Sequence, residues 1–206
     1  MSGKRWDAAI EHLRTVDPRW SPIVDRVGPC LLRPKRDPFN TLVRAIIGQQ
    51  ISTAAARTVD KRLRLLSGDP HHPKRIIDTG HDGLRTCGLS GVKSRYILNL
   101  AEAVHEGHLP VARLGRMSDD EIKLKLTSIK GIGPWTAEMF LIFSLARPDV
   151  LSAGDLAIRV GLREFHGLSE MPKPSECEGL TETWRPFRSV AMWYLWRMID
   201  RPKPST

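Results

Sequence analysis

The sequence predicts an all-helical protein, and three observations predict it. Strand-type alternation of apolar and polar residues is nearly absent. Apolar residues recur at helical spacing in run after run, and Gly, Pro, Ser and Asp punctuate those runs. With 206 residues, 41% of them hydrophobic, the chain can build one large domain or two lobes sharing a cleft.

An amphipathic segment opens the chain, and the proline-containing stretch Ser21–Pro38 reads as loop. Asp37-Pro38 then supplies an N-cap and a first-turn proline. Behind it, Phe39, Leu42, Val43, Ile46 and Ile47 keep the i, i+3, i+4, i+7, i+8 rhythm of a buried helix face. Gly48-Gln49-Gln50 interrupts that helix. Ser52 caps the next, whose face is Ala55, Ala56, Val59, Leu63 and Leu66. Residues 69–83 read as a turn-rich connection around a short apolar kernel, followed by a helix from about Val92 to Val104. Ser118 and Glu121 form a capping box for a helix through Leu126. Pro134 opens another, to about Ala146, with Pro148 beyond it. One more helix starts near Asp155 and ends before Gly167. Met171–Thr183, rich in Pro and Glu, reads as loop; Trp184–Ile199 is the last helix, before the tail RPKPST.

The formal net charge of +9 favours a polyanionic partner, nucleic acid or an acidic membrane surface. No apolar run approaches the roughly 18–20 residues that span a bilayer, which favours nucleic acid. The opening MSGKRWDAAIEHLR is charged and mixed, so no secretory signal is expected. Cys30, Cys87 and Cys177 are too few and too scattered for a four-cysteine iron–sulfur site or an even disulfide framework. A reduced, cytoplasmic protein is expected, nucleoid-associated if bacterial. His71 and His72 are adjacent but match no zinc pattern, and they read as loop.

The most informative segment is Ser118–Ala146, SDDEIKLKLTSIKGIGPWTAEMFLIFSLA. Its two helices meet through Lys130-Gly131-Ile132-Gly133, a hairpin too short to hold side-chain structure of its own. Glycines permit positive φ and close backbone approach. The N–H groups opening the helix at Pro134, with the positive dipole end behind them and Lys130 beside them, suit one DNA phosphate and read no sequence. A plain helix–turn–helix connection is the alternative reading.

The segment resembles the helix–hairpin–helix of the HhH-GPD base-excision DNA glycosylases, above all the 3-methyladenine DNA glycosylase II (AlkA) family. RAIIGQQIS at Arg44–Ser52, GLSGVKSRYI at Gly88–Ile97, SAGDLAIRVGL at Ser152–Leu162 and WRPFRSVAMWYLW at Trp184–Trp196 extend the likeness, in family order and spacing. The resemblance implies two helical lobes with a DNA-binding cleft between them: a central lobe, residues 38–147, holding the hairpin motif at about 118–146, and a second lobe of 1–37 plus 148–206. It implies a short form without the family's extra N-terminal domain, monomeric and acting on damaged double-stranded DNA, with no membrane partner. No cofactor is required by it, although the backbone carbonyls of Thr127, Ile129 and Ile132 could hold a structural Na⁺ or K⁺.

By the same resemblance Asp155 is the catalytic carboxylate, facing the sugar of a flipped nucleotide. It would stabilise positive charge at C1′ and activate water. At a helix start it should stay ionised, because the dipole favours the anion. Ser152-x-x-Asp155 also fits a mere capping box, and Asp149 and Glu138 are the alternative carboxylates. Cationic alkylated purines leave readily and need chiefly an aromatic pocket, for which Trp135, Met139, Trp184 and Phe187 are the candidates. Trp6, Trp20, Trp193 and Trp196 read as core. Gln50 is the candidate plug for the hole that a flipped base leaves; a polar turn is the plainer reading. Lys130, Gly131, Ile132 and Gly133 are the DNA-binding hairpin. Arg33, Lys35, Arg36, Arg44, Arg57, Lys61, Arg62 and Arg64, against Asp37 and Asp60, add charge of which some should meet phosphates. Where bifunctional glycosylase/lyases carry lysine, two residues past the last hairpin glycine, this chain has Trp135, so no lyase step is expected. The activity implied is excision of 3-methyladenine- and 7-methylguanine-type bases by a monofunctional glycosylase, leaving an abasic site. The rivals are an oxidised-base or mismatch glycosylase, which lacks its lysine or cysteine cluster here, and a non-catalytic lesion or DNA-structure binder using the same hairpin.

Overall fold

In the computed structural model residues 3–199 are described; the RPKPST tail lies outside them. Among these residues there is no strand, and eleven α-helices carry the fold. By contact the chain divides into two compact units, residues 35–140 and residues up to 34 together with those from 141 onward. No described helix is long and apolar enough to cross a membrane.

The 35–140 unit holds α3 (Pro38–Gly48), α4 (Thr53–Ser67), α5 (Pro73–Thr86), α6 (Gly91–His105), a 3-10 turn at Val111–Arg116, α7 (Asp119–Thr127) and most of α8 (Pro134–Phe143). Asp37 caps α3, its Oδ1 accepting from Asn40 N–H at 3.0 Å, and all five residues of the expected α3 face are buried. Each such side chain contributes about 1.5–3 kcal/mol of burial. Ser52 caps α4 as expected, accepting from Ala55 N–H at 3.2 Å. The α4 face is narrower than expected: Val59 and Leu63 are buried, whereas Ala55 and Leu66 are exposed.

Residues 69–83, expected to be a connection, are mostly α5. Its glycines and aspartates are turn formers, but Pro73 occupies the first turn and Ile76 and Leu84 bury one face; the helix bends at Gly80, φ 67°. His71, expected to be plain loop, is buried. Its Nδ1 lies 2.6 Å from Ser67 Oγ, its Nε2 2.9 Å from Asp60 Oδ1, and its N–H donates to Asn40 Oδ1 at 2.9 Å. That network joins α3, α4 and the turn into α5.

The other unit holds α1 (Asp7–Val16), α2 (Trp20–Val27), α9 (Leu156–His166), α10 (Pro174–Thr181), a 3-10 turn at Glu182–Trp184 and α11 (Arg188–Ile199). Two stretches expected to be loops are helices here. In α2, Trp20, Ile23 and Val24 bury one face, and Pro22 falls in the first turn, where a missing N–H costs nothing. In α10, Glu176 reaches back to Lys173 N–H at 2.6 Å, while Cys177 and Thr181 are buried. The last helix begins at Arg188, not Trp184, because Pro186 lies between. The core is aromatic: Trp20 lies 4.4 Å from Phe165 and 5.0 Å from Trp184, the latter edge to face. Gly161 lets α9 approach α11; a Cβ there would lie 3.0 Å from Leu195 Cβ. All three cysteines are free and buried.

Candidate active site

In the 35–140 unit the hairpin is built from its caps inward. Ser118 and Glu121 form the expected capping box on α7. Past α7 the chain turns through Ile129 N–H to Leu126 carbonyl, 3.1 Å, and Ile132 N–H to Ile129 carbonyl, 3.0 Å. Buried Ile129 and Ile132 anchor this turn, leaving Lys130 and Gly133 exposed between and after them. Gly131 has φ 110°, and a Cβ there would stand 2.2 Å from Tyr96 Cγ, so no other residue fits.

Polar bonds fasten the hairpin to its neighbours. Asn99 Nδ2 donates to the Lys130 carbonyl and Gln49 Nε2 to the Gly131 carbonyl, each at 3.3 Å. Lys93 Nζ donates to the Ile47 carbonyl at 2.8 Å and to the Gln49 carbonyl, closing the end of α3. Burial pushes the Lys93 ammonium below its ordinary range. Gln50, next in line, is exposed at φ 56°, at the tip of the α3–α4 elbow. Trp135 is 45% exposed on the first turn of α8, and Met139, one turn on, is half-buried with Glu138 beside it.

In the other unit Asp155 is itself the N-cap of α9, not the third residue of a box begun by Ser152. Its Oδ1 accepts from Ile158 N–H at 2.9 Å, and the residue is only 9% exposed. Trp196 Nε1 donates to the same Oδ1 at 3.4 Å, and the Phe143 ring packs 5.2 Å from the Trp196 ring. The stretch leading to Asp155 is pinned to the head of α11. Ser189 N–H donates to the Pro148 carbonyl at 3.0 Å, and Ser189 Oγ accepts from Val150 N–H at 2.9 Å. Buried Arg188 forks onto Asp149 at 2.6 and 3.0 Å, with Arg185 adding a bond at 2.9 Å. Burial pushes the Asp149 carboxyl up, but the Arg188 and Arg185 bonds and charges outweigh it and hold it below its usual range. Asp149 is thereby an anchor, held by two cations.

The expected site residues fall into three groups. Lys130, Gly131, Ile132, Gly133, Gln50, Trp135 and Met139 share one unit, and the Gln49 bond joins the elbow to the hairpin. Asp155 stands in the other. Trp184 is a correction: it is fully buried between Trp20 and Phe165 and stacked on His166, so it is core and not a pocket wall. Phe187 is half-buried against the His12 ring, 5.5 Å away. Trp196 moves the opposite way, from expected core to partner of Asp155. No signal in the sequence singled it out, since its place in α11 does not say which indole meets a carboxylate. Among the described residues no cluster of three His, Cys, Asp or Glu side chains could hold a metal ion. The hairpin offers backbone carbonyls instead, of which that of Ile129 already accepts the Ile132 N–H.

Known proteins align with this arrangement. The HhH-GPD superfamily of base excision DNA repair proteins matches residues 43–186. The alkylbase DNA glycosidase-like protein mag2 of Schizosaccharomyces pombe is 37% identical over 196 residues, covering 92% of each chain. DNA-3-methyladenine glycosylase 1 of the same yeast is 38% identical over 202 residues, 94% of this chain and 89% of that one. The solved structure of the S. pombe 3-methyladenine DNA glycosylase Mag1 in complex with abasic DNA superposes with a TM-score of 0.84 at 36% identity. It covers 97% of this chain and 100% of that one.

Proposed function

This chain belongs to the HhH-GPD superfamily of base excision DNA repair proteins, and on that premise we propose that it excises alkylated purines from damaged duplex DNA. It acts as a monomeric, monofunctional glycosylase on 3-methyladenine- and 7-methylguanine-type bases and leaves an abasic site. The observation that carries this reading is Asp155, a carboxylate fixed at the head of α9 by Ile158 N–H and Trp196 Nε1.

The chemistry follows from the substrate. An alkylated purine already bears a positive charge, so its bond to C1′ breaks with both electrons going to the ring nitrogen, which neutralises the base. Positive charge then develops on the sugar, where the Asp155 carboxylate opposes it; such preorganised electrostatics is the largest single contribution in many enzymes. Water attacks C1′ and passes a proton to the carboxylate. Exposed Trp135, with Met139 one turn along α8, offers the cationic ring an aromatic face, worth about 0.5–2 kcal/mol. The hairpin amides and Lys130 take a backbone phosphate, and Gln50 fills the gap in the stack. No lyase step follows, because Trp135 stands where lyases place their lysine. The carbonyls of Thr127, Ile129 and Ile132 would hold a monovalent cation, Na⁺ or K⁺, for which neutral oxygens are suitable, and it would rigidify the hairpin; no step depends on it. Three buried, free thiols favour a reducing, cytoplasmic setting.

The test is release of 3-methyladenine and 7-methylguanine from methylated duplex DNA by wild type and Asp155→Asn. Asn keeps the N-cap, so loss of release with DNA binding retained supports both activity and catalyst. A wild type that binds DNA and releases no base would replace this reading with that of a lesion-binding protein.

A further inference from the structure

Lys35 and helices α3 and α4 line a surface pocket of Lys35, Arg44, Ile47, Ala56, Arg57 and Asp60, none of them a hairpin residue. Three cations share it with one carboxylate, and that carboxylate is already engaged. Asp60 Oδ1 bonds His71 at 2.9 Å, and Oδ2 accepts from Arg64 Nε at 3.0 Å; Arg44 Nε stands 3.5 Å from that same Oδ2. Neither Lys35 nor Arg57 has an acidic partner among the described residues. Burial pushes the Lys35 ammonium below its ordinary range, and the charge of Arg44 pushes it the same way. Like charges drawn together and partly desolvated disfavour one another until an anion joins them.

We propose that Lys35, Arg44 and Arg57 form a second phosphate site, which takes one backbone phosphate of duplex DNA. This rests on the reading of the protein as a DNA enzyme. The pocket's Ile47 and Ala56 belong to the two helices that flank Gln50. The same elbow is bound to the hairpin through Gln49, and Lys93 of α6 holds the end of α3. On this proposal a duplex held by the hairpin amides also presents a backbone phosphate to the pocket between α3 and α4. Two guanidinium forks match phosphate oxygens, and the lysine adds a point charge.

The experiment is DNA binding across a KCl series, by fluorescence anisotropy, for wild type and Lys35→Gln/Arg57→Gln. An undamaged duplex and one carrying a stable abasic analogue serve as probes. The variant should bind both duplexes roughly tenfold more weakly, because a phosphate contact reads no sequence. Its plot of log affinity against log salt should be shallower by about one. Arg113→Gln/Arg116→Gln removes equal charge from the exposed 3-10 turn and should keep the full slope. Lys35→Arg/Arg57→Lys should keep it too, which separates lost charge from lost fold. An unchanged slope in Lys35→Gln/Arg57→Gln, or an equal loss in the control, overturns the proposal while leaving the enzyme reading intact. Inorganic pyrophosphate bound by wild type and not by the variant, with an unchanged DNA slope, would overturn it in favour of a free anion. A wild type without salt-dependent DNA binding removes both readings.

Discussion

Trp196 donates its indole N–H to Asp155 Oδ1 at 3.4 Å, across 41 residues of chain, and so ties the last helix to the head of α9. Trp196→Phe deletes that donor and keeps an aromatic ring against Phe143. The single-turnover rate of base release should fall by several-fold to about tenfold, with the melting temperature little changed. A variant as fast as wild type would leave Ile158 N–H as the anchor that matters.

Arg188 and Asp149 hold the approach to Asp155 as a largely buried ion pair. Arg188→Met should cost about 3 kcal/mol, because it leaves a carboxylate without its principal partner. In a chain of this size the melting temperature should drop by roughly 6–12 °C. The folded Asp149 titrates below its ordinary value of 3.8, so the pair's contribution is complete above that pH. It is lost as pH falls through the lower, folded value. Wild type and variant melts should therefore converge only in strong acid.

His71 sits in an interior network, where burial lowers its pKa from 6.5 despite the Asp60 bond that raises it. His166, in the other unit, is lowered by burial and by the Arg19 charge. The unfolded chain takes up both protons first, so stability falls as pH drops from about 6.5 through the folded values. Melting curves between pH 7.5 and 5 should show that decline, and His71→Gln should flatten part of it. An equally steep decline in the variant would assign the whole effect to His166 or elsewhere.

Gly131→Ala places a methyl on Tyr96 in a backbone conformation that L-residues avoid. It should destabilise by about 1–3 kcal/mol and weaken DNA binding, while Gly133→Ala, with open space around it, should be far milder. Thermal denaturation alongside duplex binding separates the two.

Local signals carried much of the architecture in the sequence. Asp37, Ser52 and Ser118 all cap where their side chains and spacing indicated, because capping is settled within four residues. The α3 face was legible because one helix buries one continuous stripe. Helices α2, α5 and α10 were hidden by their own prolines and glycines, which mark turns in isolation but occupy first turns or bends here. Asp155 at a helix start and the hairpin turn were legible from their motifs as local structure. The fate of each tryptophan was not, since indole spacing alone does not say which ring finds a polar partner. Trp184 packs with Trp20 and Phe165, while Trp196 meets a carboxylate, and both assignments depend on helices far apart in sequence.

The Gln49 bond couples the elbow to the hairpin, while Lys93 fixes the elbow to α6. Lys93 satisfies the closing carbonyls of α3, and Gln49 grips the hairpin from the position beside Gln50. If Gln50 fills the gap left by a flipped base, as proposed, the Gln49 bond carries that contact to Gly131. On that reading, probing the helix for a weak base pair and holding its backbone act through one connected element. Conditions that loosen the hold, high salt foremost, should blunt the probing in the same proportion.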